Sequence, residues 1–268
     1  MENPEIRFHK PCAALQPYVR YIYELRSRSG FRTLTFPLGS PQIIFHRQTP
    51  LFIPELNRRQ AAFTISGQVN FPAHVCTDGD TEMLVAVFQP YSAGMFIGTP
   101  PSELYNLEIS GHDIGNRELD ELAARITDCA DNALNARAIE HYLLGRLHDA
   151  PSPSGLARIG AATRRMMEHP ATTVTQLADA ACLSRRHFGR LFSSHVGMSP
   201  KEYARVVRFQ KSLWLMQNGR GAGAAMAYDC GYADQSHFIR EFKAFSGHTP
   251  DRLRECCRPY SDLFTAPV

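Results

Sequence analysis

The first hundred residues of the chain consist of short runs of branched and aromatic residues separated by turn signals. Three such runs cover residues 41–45, 62–66 and 82–88, each bounded by Gly, Pro or an Asp-Gly pair. Runs of this length and composition are typical of β-strands. We therefore expect a β-rich barrel or sandwich in the amino-terminal part of the chain.

The hydrophobic period changes near Asp113. Beyond it, apolar residues recur every three or four positions, which predicts two amphipathic helices at about 116–148. Their apolar stripes are formed by Leu119, Leu122, Ile126, Ile139, Leu143 and Leu147. These helices either complete the core of their own domain or pair across a two-fold axis in a dimer, and the pattern favours neither arrangement.

From Gly155 onward the pattern is helical almost throughout. Thr173 is placed to cap one short helix and Ser184 to cap the next, with a turn at Cys182–Leu183 between them. The second of these helices has an apolar face and a basic face, formed by Phe188, Leu191 and Phe192 and by Arg185, Arg186 and Arg190. This layout predicts a helix-turn-helix unit, in which the outer face of the second helix is free to enter a major groove.

A long helix at about 201–217 and a second helix-turn-helix unit follow. Gly231 lies at the turn of this unit, Asp234 is placed to cap its second helix, and Gln235, Ser236 and Arg240 point outward. The expected fold class is therefore α+β: a β-rich domain with two helices, then an all-α domain with two helix-turn-helix units joined by a long helix.

The two units share a motif that returns after fifty residues. It reads His187-Phe188-x-Arg190-x-Phe192 with Gly197-x-Ser199-Pro200, then His237-Phe238-x-Arg240-x-Phe242 with Gly247-x-Thr249-Pro250. A pattern that recurs with its internal spacing kept indicates one structural unit used twice. A partner that is itself repetitive fits two such units, and double-stranded DNA is the obvious one.

Charge divides the chain at the Pro/Ser/Gly stretch before Gly155. Residues 1–150 carry 13 Lys/Arg and 17 Asp/Glu, whereas residues 151–268 carry 16 and 9. We expect a first domain at 1–149, a linker at 150–155, a DNA-binding domain at 156–258 and a tail at 259–268. The basic second part is consistent with a module that docks on phosphates.

The second half of the chain resembles the DNA-binding domain of the AraC/XylS family of bacterial transcription regulators. The strongest similarity lies in Gly231-Tyr232-x-Asp234-x-Ser236-His237-Phe238-x-Arg240-x-Phe242-Lys243, with Gly247-x-Thr249-Pro250 and Arg254. The resemblance implies sequence-specific binding to promoter DNA as a homodimer and an amino-terminal module that senses a small-molecule effector or mediates pairing. It also implies RNA polymerase as a further partner.

Two departures from the family pattern concern the starts and turns of the units. The first helix of the second unit begins with residues 221–225, a Gly/Ala stretch, where the family commonly has a Ser or Thr cap. Because Gly destabilises a helix interior by up to about 1 kcal/mol relative to Ala, we expect this helix start to be loosely held. Cys182 also replaces the Gly usual at the first turn.

The residues expected to read base edges are Arg186, Arg190, Gln235, Ser236 and Arg240. Arginine can pair bidentately with guanine. Gln235, Ser236 and Arg240 hold the places in the second unit that match those of the first-unit arginines. The residues expected to contact phosphates, or to lie at the helix junction, are Arg185, His187 and His237. The sequence identifies no effector-binding residue.

Other classes of function receive less support from the residues. A cupin-type metal-dependent enzyme needs clustered ligands, whereas His46, His74 and His112 stand apart in sequence. With no phosphate loop, dinucleotide fingerprint or nucleophile elbow, we expect neither an enzyme nor a cofactor or metal. A regulator without a small ligand, controlled by a protein partner, remains the main alternative.

The amino end has neither the basic start nor the apolar stretch of a signal peptide, and the longest apolar run is too short to span a bilayer. We therefore expect a cytoplasmic protein without membrane association. The seven cysteines are scattered and read as free thiols, with Cys256-Cys257 as the one adjacent pair.

Overall fold

A computed structural model describes residues 4–149, 155–220, 223–256 and 263–265. The amino-terminal region contains β1 Glu5–His9, β2 Val19–Ser27, β3 Phe31–Thr35, β4 Gln42–His46, β5 Phe52–Ile53, β6 Arg58–Arg59, β7 Phe63–Ser66, β8 Ala73–Thr77, β9 Thr81–Phe88 and β10 Glu108–Ser110. It also contains α1 Ala93–Ile97, α2 Arg117–Asp128 and α3 Asn132–Asp149. The helical domain contains α4 Leu156–Glu168, α5 Val174–Ala180, α6 Arg185–Val196, α7 Pro200–Gln217, α8 Gly223–Asp229, α9 Gln235–Ser246 and α10 Pro250–Cys256. The predicted α+β class is confirmed.

The strands form two antiparallel sheets. The larger sheet has the order β1-β2-β9-β4-β7-β10, and the smaller one has the order β3-β8-β5-β6. β9 lies inside the larger sheet, and all eight of its residues are buried. The edge strands β1 and β10 are separated by four strands, so the described part of the sheet does not close. Of the two expected arrangements, barrel or sandwich, the two-sheet sandwich is found.

The two predicted helices α2 and α3 complete the core of their own chain. Leu119, Ile126, Ile139 and Leu143 are all buried within the main hydrophobic cluster. That cluster continues from the β-rich region into the helical domain, where it includes Phe192. Of the two arrangements that the sequence left open, core packing and pairing in a dimer, the apolar stripes of α2 and α3 are found in core packing.

Local caps mark the helix ends in the helical domain, and the cap at Thr173 is one that the sequence predicts. Thr173 forms a capping box with Gln176 at the start of α5, and Ser199 forms another with Glu202 at the start of α7. Each box satisfies backbone donors that the first helical turn leaves without a partner. α6 ends at Gly197, whose φ of 92° lies in the left-handed region that terminates helices.

Some predictions lie outside the described residues. They concern the linker before Gly155, the first two residues of the Gly/Ala stretch at 221–225, the tail apart from 263–265, and the side chains of Cys256-Cys257. Within the described ranges, no helix is long and apolar enough to cross a lipid bilayer.

Candidate nucleic-acid interface and ligand cavity

The first helix-turn-helix unit is held by apolar packing behind its second helix. Phe188 and Phe192 on α6 are fully buried, and the Phe192 ring contacts the Tyr203 ring on α7 at 5.7 Å between centroids. The Ser184 hydroxyl accepts a hydrogen bond from the backbone N–H of His187 at 3.3 Å. Ser184 is therefore the N-cap of α6, as predicted.

The basic residues of α6 lie on the opposite face. Arg185, Arg186, His187 and Arg190 are all exposed. Their side chains make no hydrogen bond or ion pair with other residues in the described part of the chain. These side chains are therefore available to an external anion or base edge. Their assignment to bases or phosphates stays a prediction.

The second unit repeats this arrangement. The Asp234 carboxylate accepts the backbone N–H of His237 at 2.8 Å and caps α9. Phe238 and Phe242 are buried. The residues predicted to face a groove, Gln235, Ser236 and Arg240, are all exposed.

The structure adds Ile239 and Lys243 to the outward face of α9, and both are exposed. Sequence reasoning missed them because it followed the repeated motif, and the matching positions of the first unit hold Gly189 and Ser193. Ile239 lies four residues after Gln235, and Lys243 lies four residues after Ile239. Because residues four apart share one face of a helix, this spacing predicts that both face outward.

His237 lies at the junction between α9 and α7. Its Nε2 atom is 3.4 Å from a carboxylate oxygen of Glu241, and its ring meets the Tyr232 ring edge-on at 5.3 Å. With its side chain 28% exposed, His237 can still reach a phosphate from one side. Its predicted phosphate contact remains a prediction.

A buried carboxylate joins the second unit to the long helix. Glu241 on α9 accepts hydrogen bonds from Arg205 Nε at 2.7 Å and from Arg208 Nη2 at 3.2 Å, both on α7. Burial alone would raise the pKa of Glu241, but the two guanidinium groups outweigh it and hold the pKa below its ordinary value. We call Glu241, Arg205, Arg208 and His237 the α7–α9 ion cluster.

The turns of the two units adopt the same left-handed backbone at different residue types. Cys182 has a φ of 53° in the first unit, and Gly231 has a φ of 80° in the second. A side chain at position 231 would meet the backbone of Ala171 at 2.9 Å, so glycine is required there. Cys182, which is exposed, carries the strain of a non-glycine residue in this region.

A cavity of about 560 Å³ opens between the two sheets of the amino-terminal region. Its lining is largely apolar and includes Phe8, Tyr21, Leu25, Ile44 and Val75. Pockets that bind small molecules in proteins are mostly apolar and roughly 300–1,000 Å³ in volume. The cavity is therefore large enough for a small organic ligand.

One wall of the cavity carries a polar relay. Gln60 donates hydrogen bonds from Nε2 to both carboxylate oxygens of Glu108, at 3.1 and 3.0 Å. Its carbonyl oxygen lies 2.9 Å from His46 Nε2, which fits donation by the histidine. Burial lowers the pKa of His46 to about 4, with the Gln60 hydrogen bond opposing this in part, so the imidazole is neutral at neutral pH.

Two segments that line the cavity also contact α7. The first is the loop after β3, where the Phe36 ring meets the Phe209 ring at 5.8 Å and the Pro37 carbonyl accepts a 2.7 Å hydrogen bond from buried Gln210. The second precedes β10, where Tyr105, next to the lining residue Asn106, donates a 2.7 Å hydrogen bond to Glu202.

The protonation states of both groups favour the Tyr105–Glu202 hydrogen bond. Burial, with the Glu202 acceptor, raises the pKa of Tyr105 to about 12. The Tyr105 hydroxyl therefore stays protonated and donates the hydrogen bond. Burial would raise the pKa of Glu202, but hydrogen bonds from Ser199 and Tyr105 lower it below the ordinary value. An ionised acceptor therefore faces a neutral donor across the contact between the two regions.

The three histidines that a cupin-type metal site would need lie apart. His46 bonds Gln60, His74 bonds Glu55 at 2.6 Å and His112 bonds Asp120 at 2.6 Å. The described ranges contain no group of three or more His, Cys, Asp or Glu residues that could hold a metal ion.

Comparison with known proteins places the helical units in a family. A family model described as a helix-turn-helix domain matches residues 177–255, which covers most of both units. Residues 177–255 therefore form a helix-turn-helix domain of the AraC type. A second family model, described as a domain of unknown function (DUF6597), matches residues 7–110 in the β-rich region.

Curated relatives of this AraC-type domain are transcription regulators. An uncharacterised regulator of the helix-turn-helix type from Haemophilus influenzae is 26% identical over 160 residues, which are 58% of this chain and 51% of that protein. The activator RhaS of Escherichia fergusonii is 30% identical over 79 residues, 30% of this chain and 28% of RhaS. The chain thus spans about half or less of the length of these relatives.

Among solved structures, ToxT from Vibrio cholerae aligns with the AraC-type domain and the region before it. The alignment covers 85% of this chain and 94% of ToxT, with 14% sequence identity and a TM-score of 0.45.

Proposed function

We propose that this protein is a sequence-specific DNA-binding transcription regulator of the AraC/XylS type. The observation that carries the proposal is the pair of capped recognition helices, α6 and α9, each buried on one face by two phenylalanines and exposing arginine on the other. A helix of this kind fits a major groove about 12 Å wide.

The charge distribution supports DNA as the partner. Residues 151–268 carry 16 basic and 9 acidic residues, and three of the arginines lie on the free face of α6. Neutralisation of phosphates by such groups supplies affinity, while arginine and glutamine at base edges supply selectivity. Both kinds of group lie on the outward faces of the units.

The test is a gel-shift assay after selection of binding sites from random DNA with the full-length protein. Arg190→Ala and Arg240→Ala should each weaken binding to the selected site, by about 5- to 150-fold for a lost bidentate base contact. Arg117→Ala is a control, since it removes an exposed charge from α2, outside both helix-turn-helix units. Binding that is salt-sensitive but blind to sequence would exclude specific regulation.

We further propose that a small, mostly apolar molecule with a hydrogen-bonding group controls DNA binding from the cavity. Support comes from the cavity's volume of about 560 Å³ and its apolar lining with Gln60 and Glu108 on one wall. The two segments that reach from the cavity wall to α7 provide a route, because a ligand that moves either segment alters the contacts of Gln210 or Glu202.

The ligand proposal is testable with an apolar fluorescent probe, 8-anilinonaphthalene-1-sulfonate. The probe should bind the folded protein, and Val75→Trp should abolish binding because Val75 lines the cavity. Leu134→Trp, on the exposed face of α3, should leave it unchanged. Equal binding by both variants would contradict the cavity site and favour the alternative, control by a protein partner without a small ligand.

The resemblance to AraC/XylS regulators also leads us to propose a homodimer on two DNA sites and RNA polymerase as a further partner. Analytical ultracentrifugation of the full-length protein with and without its selected DNA checks the first of these. A single copy per DNA molecule carrying two half-sites would contradict it.

A further inference from the structure

The outward faces of the two recognition helices differ in chemistry at matching positions. With an offset of fifty residues, the first helix offers Arg185, Arg186, Gly189, Arg190 and Ser193, and the second offers Gln235, Ser236, Ile239, Arg240 and Lys243. Arginine occupies three of these positions in α6 and one in α9. We therefore expect the two helices to prefer different base pairs.

Ile239 is the apolar residue at the centre of the outward face of α9. It is 36% exposed and does not belong to the hydrophobic clusters formed by the described residues. Gln235 and Ser236 precede it on this face, and Arg240 and Lys243 follow it. An isolated exposed isoleucine is ordinary on a protein surface, but this one is surrounded by groups that suit DNA.

The matching position of the first unit holds a glycine and so has no side chain. Gly189 lies on α6, and a Cβ atom built there would meet nothing within 4 Å. The first unit therefore presents arginines on either side of a gap, whereas the second presents a branched hydrocarbon group between polar and basic side chains. This difference concerns the outward faces only, because the inward phenylalanines are the same.

The chemistry of the major groove supplies a partner for each group. The C5-methyl group of thymine is the apolar feature that a base pair presents there, adenine suits a bidentate glutamine, and guanine suits arginine. Because Ile239 has basic neighbours on α9, it lies on a surface that suits DNA. In the major groove, the thymine methyl group is the apolar feature that an aliphatic side chain can contact.

We propose that Ile239 determines specificity by contacting a thymine methyl group. The second unit then recognises a half-site containing A·T pairs, while the first unit, through Arg186 and Arg190, recognises a half-site rich in guanine. This inference rests on the proposed function, since it concerns how the same two helices read DNA.

The experiment replaces thymine by deoxyuridine, which lacks the C5-methyl group, one position at a time in the site selected by the full-length protein. At one position in one half-site, wild-type affinity should fall about fourfold, the factor that corresponds to the burial of one methyl group. Ile239→Ala should bind the thymine site more weakly and should be indifferent to deoxyuridine at that position.

Two variants complete the cycle. Ile239→Val keeps a branched apolar group and should retain sensitivity to deoxyuridine, while Gly189→Ala changes the matching position of α6 and should leave that sensitivity unaltered. A deoxyuridine effect of the same size in wild type and Ile239→Ala would overturn the inference, as would the lack of any sensitive position. Failure of the selection to yield any preferred site would instead overturn the proposed function.

Discussion

The two helix-turn-helix units of this protein share one framework but are held in place by different means. The first unit packs against the amino-terminal region, with Gly197 at the end of α6 directly beside Pro101. The second unit is bound to α7 through the buried carboxylate of Glu241 and the guanidinium groups of Arg205 and Arg208. A repeated motif therefore specifies the fold of each unit but not its attachment.

This difference bears on how each unit meets DNA. The first unit lies next to the region that contains the cavity. Because it exposes three arginines on α6, we expect it to supply most of the affinity for DNA. The second unit, with one arginine among Gln235, Ser236 and Ile239, is expected to add selectivity.

Glu241→Gln should destabilise the protein by about 3 kcal/mol, because it leaves two guanidinium groups at the α7–α9 ion cluster without their counter-charge. Urea unfolding measures the change. Glu255→Gln is the control: its ion pair with Arg252 is exposed, with side chains 65% and 65% accessible, and such pairs contribute less than about 1 kcal/mol. Equal effects of the two variants would show that the cluster does not anchor the second unit.

The same carboxylate predicts a pH dependence. The pKa of Glu241 in the folded protein lies below its ordinary value of 4.5, so the ionised form adds stability above about pH 4.5. This stability is lost as the pH falls through the lowered pKa. The slope of unfolding free energy against pH should therefore be shallower below pH 4.5 in Glu241→Gln than in wild type.

Arg186→Ala should weaken specific DNA binding by about 2 kcal/mol, the cost of one lost bidentate contact, and Arg240→Ala by less. The expected order follows from the concentration of arginines on α6. Competition gel shifts at fixed salt give the ratio of affinities. A larger loss in Arg240→Ala would reverse the assignment of affinity and selectivity to the two units.

Gly231→Ala should destabilise the second unit by about 1–2 kcal/mol, since a side chain in the left-handed region is strained and here also meets the backbone of Ala171. Cys182→Gly is the matched change at the first turn and should stabilise by less than about 1 kcal/mol, because it relieves the same strain. Thermal unfolding of both variants compares the turns directly.

The smallest effect is expected from Gly189→Ala, in the interior of α6 and half-buried. Alanine has the higher helix propensity, and nothing lies within 4 Å of the added methyl group. The variant should therefore gain up to about 1 kcal/mol in stability. A loss of stability would show that α6 depends on glycine for a reason other than its own helix.

Much of the helical domain follows from local rules that act within a few residues. The N-caps at Thr173, Ser184 and Asp234 and the long helix α7 are confirmed, because side-chain caps and helical apolar periods need no distant partner. In the β-rich region the predicted strands are found, but the sequence left the choice between a barrel and a sandwich open. Closure of a barrel depends on how edge strands meet, which short-range patterns do not encode.

The sequence by itself determined the two helix-turn-helix units, their caps and their outward arginines, because a repeated motif and helical periodicity are local properties of the chain. Only the tertiary structure decided that the stripes of α2 and α3 are buried in their own chain, that Glu241 joins α9 to Arg205 and Arg208, and that a cavity of about 560 Å³ opens between the sheets. Each of these depends on side chains that lie far apart in sequence and meet only when the chain is packed.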